Sequence, residues 1–425
     1  MQIIENSKIK EKVYIEKESN GFTIMVVPKK PSKKYIICGV KFGSIDNKVL
    51  VDGDEKIISV PDGIAHYLEH KLFELENGKN SLDVLSSLGV DANAYTTNNH
   101  TAYLYECTDN FYEALDEFMN YVQNPYFTDE NVEKERGIIG QEIMMYEDYP
   151  EWAIYMNAIK CMYKDNEINI DVAGSLESIA EINKDNLYSI YNSFYRPENM
   201  VIVVSGDFVP EEIIEEIKKR LISKEQGKSI KRIYNEEQKE IVQKKIERNM
   251  DISMPCFMLG FKDTSEKENM VKKDIAIAML SNILFGLSTD FYKTLYEEGK
   301  ILSEPSVTYE FAENYAHVLI QCQTNYVDDV IEKIDKRIEE VKSLGINLED
   351  FEVTKRRIYG EIVKDYNSVS TIATGFTANF FRNINSFDYF EEFESINKEY
   401  VEKVLKEVFV EEKKVISVIN PEEEG

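Results

Sequence analysis

Long hydrophobic runs are missing from this 425-residue chain. No apolar stretch approaches the ~18 residues that a membrane helix needs. The first residues, Met1–Lys8, show neither an apolar core nor a small-residue cleavage site, so no secretory signal is expected. Positive charge is scarce as well: 50 Lys and Arg stand against 78 Asp and Glu, a formal net charge of -28. That sign excludes a duplex-binding surface and disfavours an acidic membrane face. It favours basic partners or substrates. Cysteine is sparse and scattered (Cys38, Cys107, Cys161, Cys256, Cys322), with no CxxC pair. Neither a disulfide framework nor a cysteine metal site is expected, and the reading is of reduced, buried thiols in a cytoplasmic protein. The Asn99-His100-Thr101 triplet is therefore not read as a glycosylation site. Histidine is scarce too, with four in all, yet two of them lie at 66 and 70.

What is present is globular. Hydrophobic residues are 43% and charged residues 30%, and the length asks for two or more domains. Runs dominated by β-branched and aromatic residues predict strands at Val13–Glu16, Phe22–Val27 and Tyr35–Phe42, and further strands are read at Ala92–Thr97, Thr101–Cys107 and Met200–Ser205. Helical patterns cover Ile64–Leu75, Ser81–Leu88, Phe111–Val122, Glu130–Glu147, Trp152–Met162, Lys184–Phe194 and Pro210–Leu221. From Ser223 to Asn249 eight basic residues face five acidic ones without an apolar helical face. This stretch reads as a solvated linker, with a strand near Lys239–Ile246. Gly227-Lys228-Ser229 within it lacks the earlier glycine and preceding strand of a phosphate loop and is set aside. The second half repeats the order: strands at Cys256–Phe261, Ser306–Glu310, His317–Gln321 and Val415–Ile419, with helices between them. The expected organisation is α+β, with 1–222 a first domain, 223–249 a linker and 250–425 a similar second domain without a metal motif.

The chemistry sits in His66-Tyr67-Leu68-Glu69-His70. On a helix the two imidazoles are one turn apart and Glu69 lies beside them. Such a pair can bind one zinc ion, and the carboxylate between them can deprotonate zinc-bound water. The bland alternative is a helix with two incidental histidines. A catalytic zinc site wants a third protein ligand. The best candidate is on the helix after Thr128, where Val132, Glu135, Ile139, Glu142 and Tyr146 make one stripe. Carboxylates in a buried stripe need something positive, either a metal or a buried arginine. His100 follows the Ala92–Thr97 strand and reads mainly as incidental; His317 reads as structural.

These segments resemble the insulinase/pitrilysin-type zinc peptidases (family M16, inverted zincins). The likeness rests on Ala65–Glu74, on Glu133–Ile143 with Glu142 lying 72 residues beyond His70, on Asp171–Ile179 and on Leu284-Phe285-Gly286. It is nearest to the small bacterial H-x-x-E-H subunits of two-protein assemblies. The resemblance implies that His66, His70 and Glu142 hold Zn2+, that Glu69 is the general base and that Glu135 supports the site. It implies that Asn93 and Ala94 lie on an edge strand where peptide substrates pair by backbone hydrogen bonds. The fold implied is two similar domains, each a mostly antiparallel sheet with helices, together half of a clamshell.

One departure matters. Family members commonly place an Arg and a Tyr from the second half over the substrate carbonyl; here those positions read as Tyr296 and Leu302, with Lys293, Lys300 or Tyr309 as substitutes. The resemblance therefore implies a zinc endopeptidase subunit that cleaves peptides in an enclosed cavity. It would work with a paralogous subunit or as a homodimer, without nucleic acid or membrane. The rival readings are an inactive scaffold of the same fold and an acidic binding module.

Overall fold

Residues 1–30, 33–51, 57–222, 230–265 and 269–422 are described by the computed structural model. Gly227-Lys228-Ser229 and the start of the expected linker lie outside them. β-Branched and aromatic runs build a first set of strands: β1 (Gln2–Asn6), β2 (Glu11–Lys17), β3 (Thr23–Pro28), β4 (Lys34–Val40), β5 (Lys48–Val51) and β6 (Ile58–Ser59). They continue as β7 (Asp91–Thr96), β8 (Thr101–Cys107), β9 (Met200–Gly206) and β10 (Ile230–Arg232). The main sheet runs β1-β2-β3-β9-β4-β8-β7, so β7 is an edge strand; β10-β5-β6 forms a small second sheet. A second set, β11 (Lys245–Met250), β12 (Cys256–Asp263), β13 (Ser306–Phe311), β14 (Ala316–Gln323) and β15 (Lys414–Pro421), forms a sheet ordered β11-β15-β12-β14-β13.

The two large sheets repeat one topology. In the first, β3 pairs parallel with β9, and β9-β4, β4-β8 and β8-β7 are antiparallel. In the second, β11 pairs parallel with β15, and β15-β12, β12-β14 and β14-β13 are antiparallel. The fold is thus α+β in two domains, with a duplicated sheet that element order alone suggested.

The compact units are not contiguous blocks of chain. The first comprises Met1–Ile143, Ile170–Tyr234 and Val363–Ser386; the second comprises Met144–Asn169, Asn235–Ile362 and Phe387–Gly425. The Val369–Phe381 helix packs on β4 and β9, and the Pro150–Met162 helix packs on β12 and β15. Each repeat thus gives one apolar helix to the other's sheet. Both helices come so close that the strand beneath carries glycine. A Cβ at Gly39 would lie 2.6 Å from the Phe381 ring, and one at Gly260 would lie 2.9 Å from Met162 Sδ. Ile37 and Val203, paired across β4 and β9 on the Gly39 side, are fully buried.

The described part of the expected linker has fixed partners. Ile230–Arg232 is strand β10, and Arg232 Nε lies 3.0 Å from Asp46 Oδ1. Asp46 is buried, and its carboxylate also accepts from Gly43 N–H (3.0 Å) and Tyr234 Oη (3.1 Å). A buried carboxylate draws in a cation, which is why this basic stretch is structured. Glu237 then accepts N–H bonds from Asp165 and Asn166 (both 2.7 Å) and pairs with Lys262 at 2.8 Å in the second unit. All five cysteines are buried and unpaired with one another. Among the described residues no single helix is long and apolar enough to cross a membrane.

Candidate metal centre

The motif helix runs from Ile64 to Lys71, shorter than its pattern suggested, because Leu72 caps it and Glu74 bridges to Asn80. Ile64, Ala65, Tyr67 and Leu68 face the core, which turns His66 and His70 to the opposite side. The second helix, Asp129–Glu147, buries Val132, Glu135, Ile139 and Ile143; Glu142 is half-buried at the same side. Two amphipathic stripes thus bring the predicted residues together.

His66 Nε2 lies 3.7 Å from Glu142 Oε1, and His70 Nε2 lies 3.5 Å from Glu142 Oε2. The imidazole centroids are 4.6 Å apart, and one donor atom from each of the three residues falls within 4.8 Å of the others. These gaps are long for hydrogen bonds. They suit a shared ion: ligand atoms about 2.0–2.1 Å from a tetrahedral zinc stand about 3.4 Å apart. The donor set, two neutral-capable imidazoles and a carboxylate, fits zinc. His70 Nδ1 is 3.1 Å from Glu135 Oε1, so the carboxylate fixes which ring nitrogen faces Glu142.

Burial sets the protonation states. It pushes His66 down to about 3, assisted by His70, which keeps the ring neutral and ready to ligate. Burial also opposes charge on His70, but the Glu135 hydrogen bond and the charges of Glu69, Glu135 and Glu142 outweigh it and hold the ring above its ordinary value. Glu135 is opposed by burial too, yet His70 and Lys71 hold it below the usual carboxylate range. Glu69, buried beside the histidines, is pushed up to about 7 by desolvation; a hydrogen bond from Thr96 Oγ1 at 2.5 Å acts the other way. That value suits a proton carrier near neutrality.

These shifts predict an acid-labile metal-free fold. His66 and His100, the latter held down to about 4 by burial and then Arg382, bind fewer protons folded than unfolded below pH 6.5. Their contribution is complete above that value and is lost as pH falls. Glu69 and the buried Asp46, both raised by desolvation, have the opposite sign, and the raised His70 is already at full effect below pH 6.5. The lowered carboxylates Glu16, Glu135, Glu237 and Glu411, however, add to the acid loss of the two histidines. The melting temperature of chelator-treated protein should fall between pH 6.5 and about 4; a flat or rising profile would refute this balance.

The other candidates separate cleanly. Asn93 and Ala94 lie on edge strand β7, where Ala94 N–H donates to Asn93 Oδ1 at 2.9 Å. His100 is outside the cluster: it is buried against Tyr95 and Phe381, with Nδ1 2.6 Å from Asn99 Oδ1. His317 is buried in the second unit, with Nδ1 3.1 Å from Tyr163 Oη. Tyr296 and Leu302 are 54% and 69% exposed. Lys300 is paired with Glu298 and Asp329, and Tyr309 donates to Asp263. Sequence reasoning missed Thr96, which holds Glu69, and Lys71, whose Nζ lies 2.6 Å from Glu74 Oε2 and 3.7 Å from Glu135 Oε2. A buried carboxylate at 69 called for a donor, but nothing local named position 96. Beside the helix end a groove of about 920 Å³ opens, lined by Glu74, Asn80, Asp83, Tyr126, Glu130 and Lys134 among others.

His66 and His70, one turn apart on one helix, and Glu142 from a second helix converge closely enough to share one ion, on a duplicated α+β chain. The sequence pattern of the insulinase family (peptidase family M16) matches residues 60–175, and that of the M16 inactive domain matches residues 181–358. The uncharacterized zinc protease YmfH of Bacillus subtilis (strain 168) is 36% identical, over 98% of this chain and 99% of that protein. A second uncharacterized zinc protease of that organism, YmxG, is 24% identical over 83% of this chain and 84% of its own. Among solved structures, an M16-like peptidase from Alicyclobacillus acidocaldarius superposes with TM-score 0.93 at 28% identity, covering 99% and 100% of the two chains. A protease from Helicobacter pylori shares the fold, with TM-score 0.82 at 19% identity over 97% and 100%. The chain belongs to the M16, insulinase-type, family of zinc peptidases.

Proposed function

We propose that this chain is a zinc-dependent endopeptidase subunit that reaches full activity with a paralogous chain of its own family. The observation that carries the reading is the donor set, with His66 Nε2 and His70 Nε2 both turned to the Glu142 carboxylate at 3.7 and 3.5 Å. Zinc held there would supply Lewis acidity, lowering the pKa of a water molecule and polarising the scissile carbonyl. Glu69 takes the water proton and hands it to the departing amine, a task suited to a carboxylate held near neutrality. Glu135 keeps His70 in one tautomer. The free edge of β7, at Asn93 and Ala94, offers backbone groups to an extended peptide, which gives affinity without demanding a sequence. A space enclosed between paired chains would admit short or unfolded peptides.

Two observations favour a second chain. Tyr296 and Leu302, at the positions that the resemblance assigns to the family's carbonyl clamp, bring no cation. This chain also covers only 48% of the periplasmic protease PqqL of Escherichia coli, a likeness of fold at TM-score 0.75. The purified chain should hold about one zinc ion and hydrolyse an unstructured peptide slowly. Adding a paralogous family member from the same source should raise the rate on the order of a hundredfold, the worth of an oxyanion donor. Equal rates with and without it would remove the partner from the proposal, and a chain that binds no zinc would remove the proposal itself.

A further inference from the structure

Lys71 is an anomaly on the motif helix. It follows His70 directly, yet its side chain points the other way, one turn beyond Tyr67 on the apolar face, and none of it is exposed. An ammonium in such a place is costly unless carboxylates meet it. Two do. Glu74 Oε2 is 2.6 Å from Nζ, and Glu135 Oε2 is 3.7 Å from it. The partners differ in what they need. The Glu74 side chain is 23% exposed at the wall of the groove, with Lys134 Nζ 3.9 Å from its other oxygen; water can replace a buried cation there. The Glu135 side chain is only 9% exposed, and its two oxygens are divided between His70 Nδ1 and Lys71 Nζ.

We infer that Lys71 is a positioning residue: its charge fixes the rotation of the Glu135 carboxylate, so that Oε1 stays on His70 Nδ1 and His70 Nε2 stays turned to Glu142. This rests on the reading of His66, His70 and Glu142 as a zinc site. A carboxylate with one oxygen anchored by a cation keeps the other in place. Without the cation the buried group turns toward solvent and His70 loses its orienting partner. The apolar side chains beside Lys71 cannot do this, because they offer the carboxylate neither a charge nor a hydrogen-bond donor.

The test measures zinc affinity by competition with a chromophoric chelator, and the visible absorption of the cobalt-substituted protein, on the full chain. Lys71→Met fits the apolar slot and removes the charge. It should weaken zinc binding on the order of tenfold, as loss of an outer-sphere partner does, and shift the cobalt bands. Lys71→Gln should act alike and stands in should Lys71→Met fail to fold. Glu74→Gln should leave affinity within about twofold. In a Glu135→Gln background, Lys71→Met should add less than about twofold, because the pathway is already cut. Native affinity and native cobalt bands in the Lys71 variants would overturn the inference, and so would an equal loss in both backgrounds or an equal loss in Glu74→Gln. Absence of zinc from the native chain overturns the metal centre itself, an outcome distinct from these.

Discussion

A Glu69→Gln chain is expected to bind zinc as the native chain does and to hydrolyse peptides about 10²- to 10⁴-fold more slowly. Glutamine has the volume of glutamate and can still accept the Thr96 hydroxyl bond, so the 2.5 Å contact that seats the side chain survives. The metal should survive too, because the converging donor atoms belong to His66, His70 and Glu142. Only proton transfer is lost, since an amide cannot take the proton of the attacking water. Glu69 is strongly buried and pushed up to about 7, so the acid limb of the native rate profile should report its deprotonation, altered by any bound cation. Measuring zinc content and initial rates on one preparation separates the two effects. Native rates in the variant would end the assignment of Glu69 as the base.

Replacing His70 with alanine should have the largest effect on metal binding. This one ring faces Glu142 through Nε2 and Glu135 through Nδ1, so its loss removes a ligand and strands a buried carboxylate. Zinc affinity should fall by more than the about 100-fold upper cost of losing an outer partner. A hundredfold change of that kind is worth up to about 2.7 kcal/mol of ligand-linked stability, so added zinc should no longer raise the melting temperature. His100→Ala is the control. That ring is more deeply buried and lies among Asn99, Thr97 and Phe381, and its loss should lower stability while zinc stoichiometry stays native. Full zinc retention in His70→Ala would place the metal elsewhere.

The legible part of the site was the part governed by helical spacing. Histidines at 66 and 70 must share a face of any helix, and the 132–135–139–142 stripe had to face inward. Lys71 and Thr96 were not legible, because what they touch is set by neighbours in space: Glu135 comes from another helix, and Thr96 reaches Glu69 from a strand. The sheets were readable from β-branched runs. β1 was not, since Gln2–Asn6 mixes polar and apolar residues at an edge, and neither was the Asp388–Ser395 helix, short and dense in acidic and aromatic residues. Composition read 223–249 as solvated, whereas Asp46 and Lys262 give its described part fixed partners. Nor could pattern say which sheet an apolar helix covers: Pro150–Met162 and Val369–Phe381 look alike as helices, and each lies on the sheet of the other repeat.

That exchange sets a timetable for synthesis. Residues through Glu142, which include the three proposed zinc ligands, leave the ribosome early, but the helix that covers Ile37, Gly39 and Val203 ends at Phe381. At about 5–20 residues per second the delay is on the order of tens of seconds. During it the proposed ligands exist while one apolar face of their sheet is bare, so the nascent first half exposes that face until the chain through Phe381 is made.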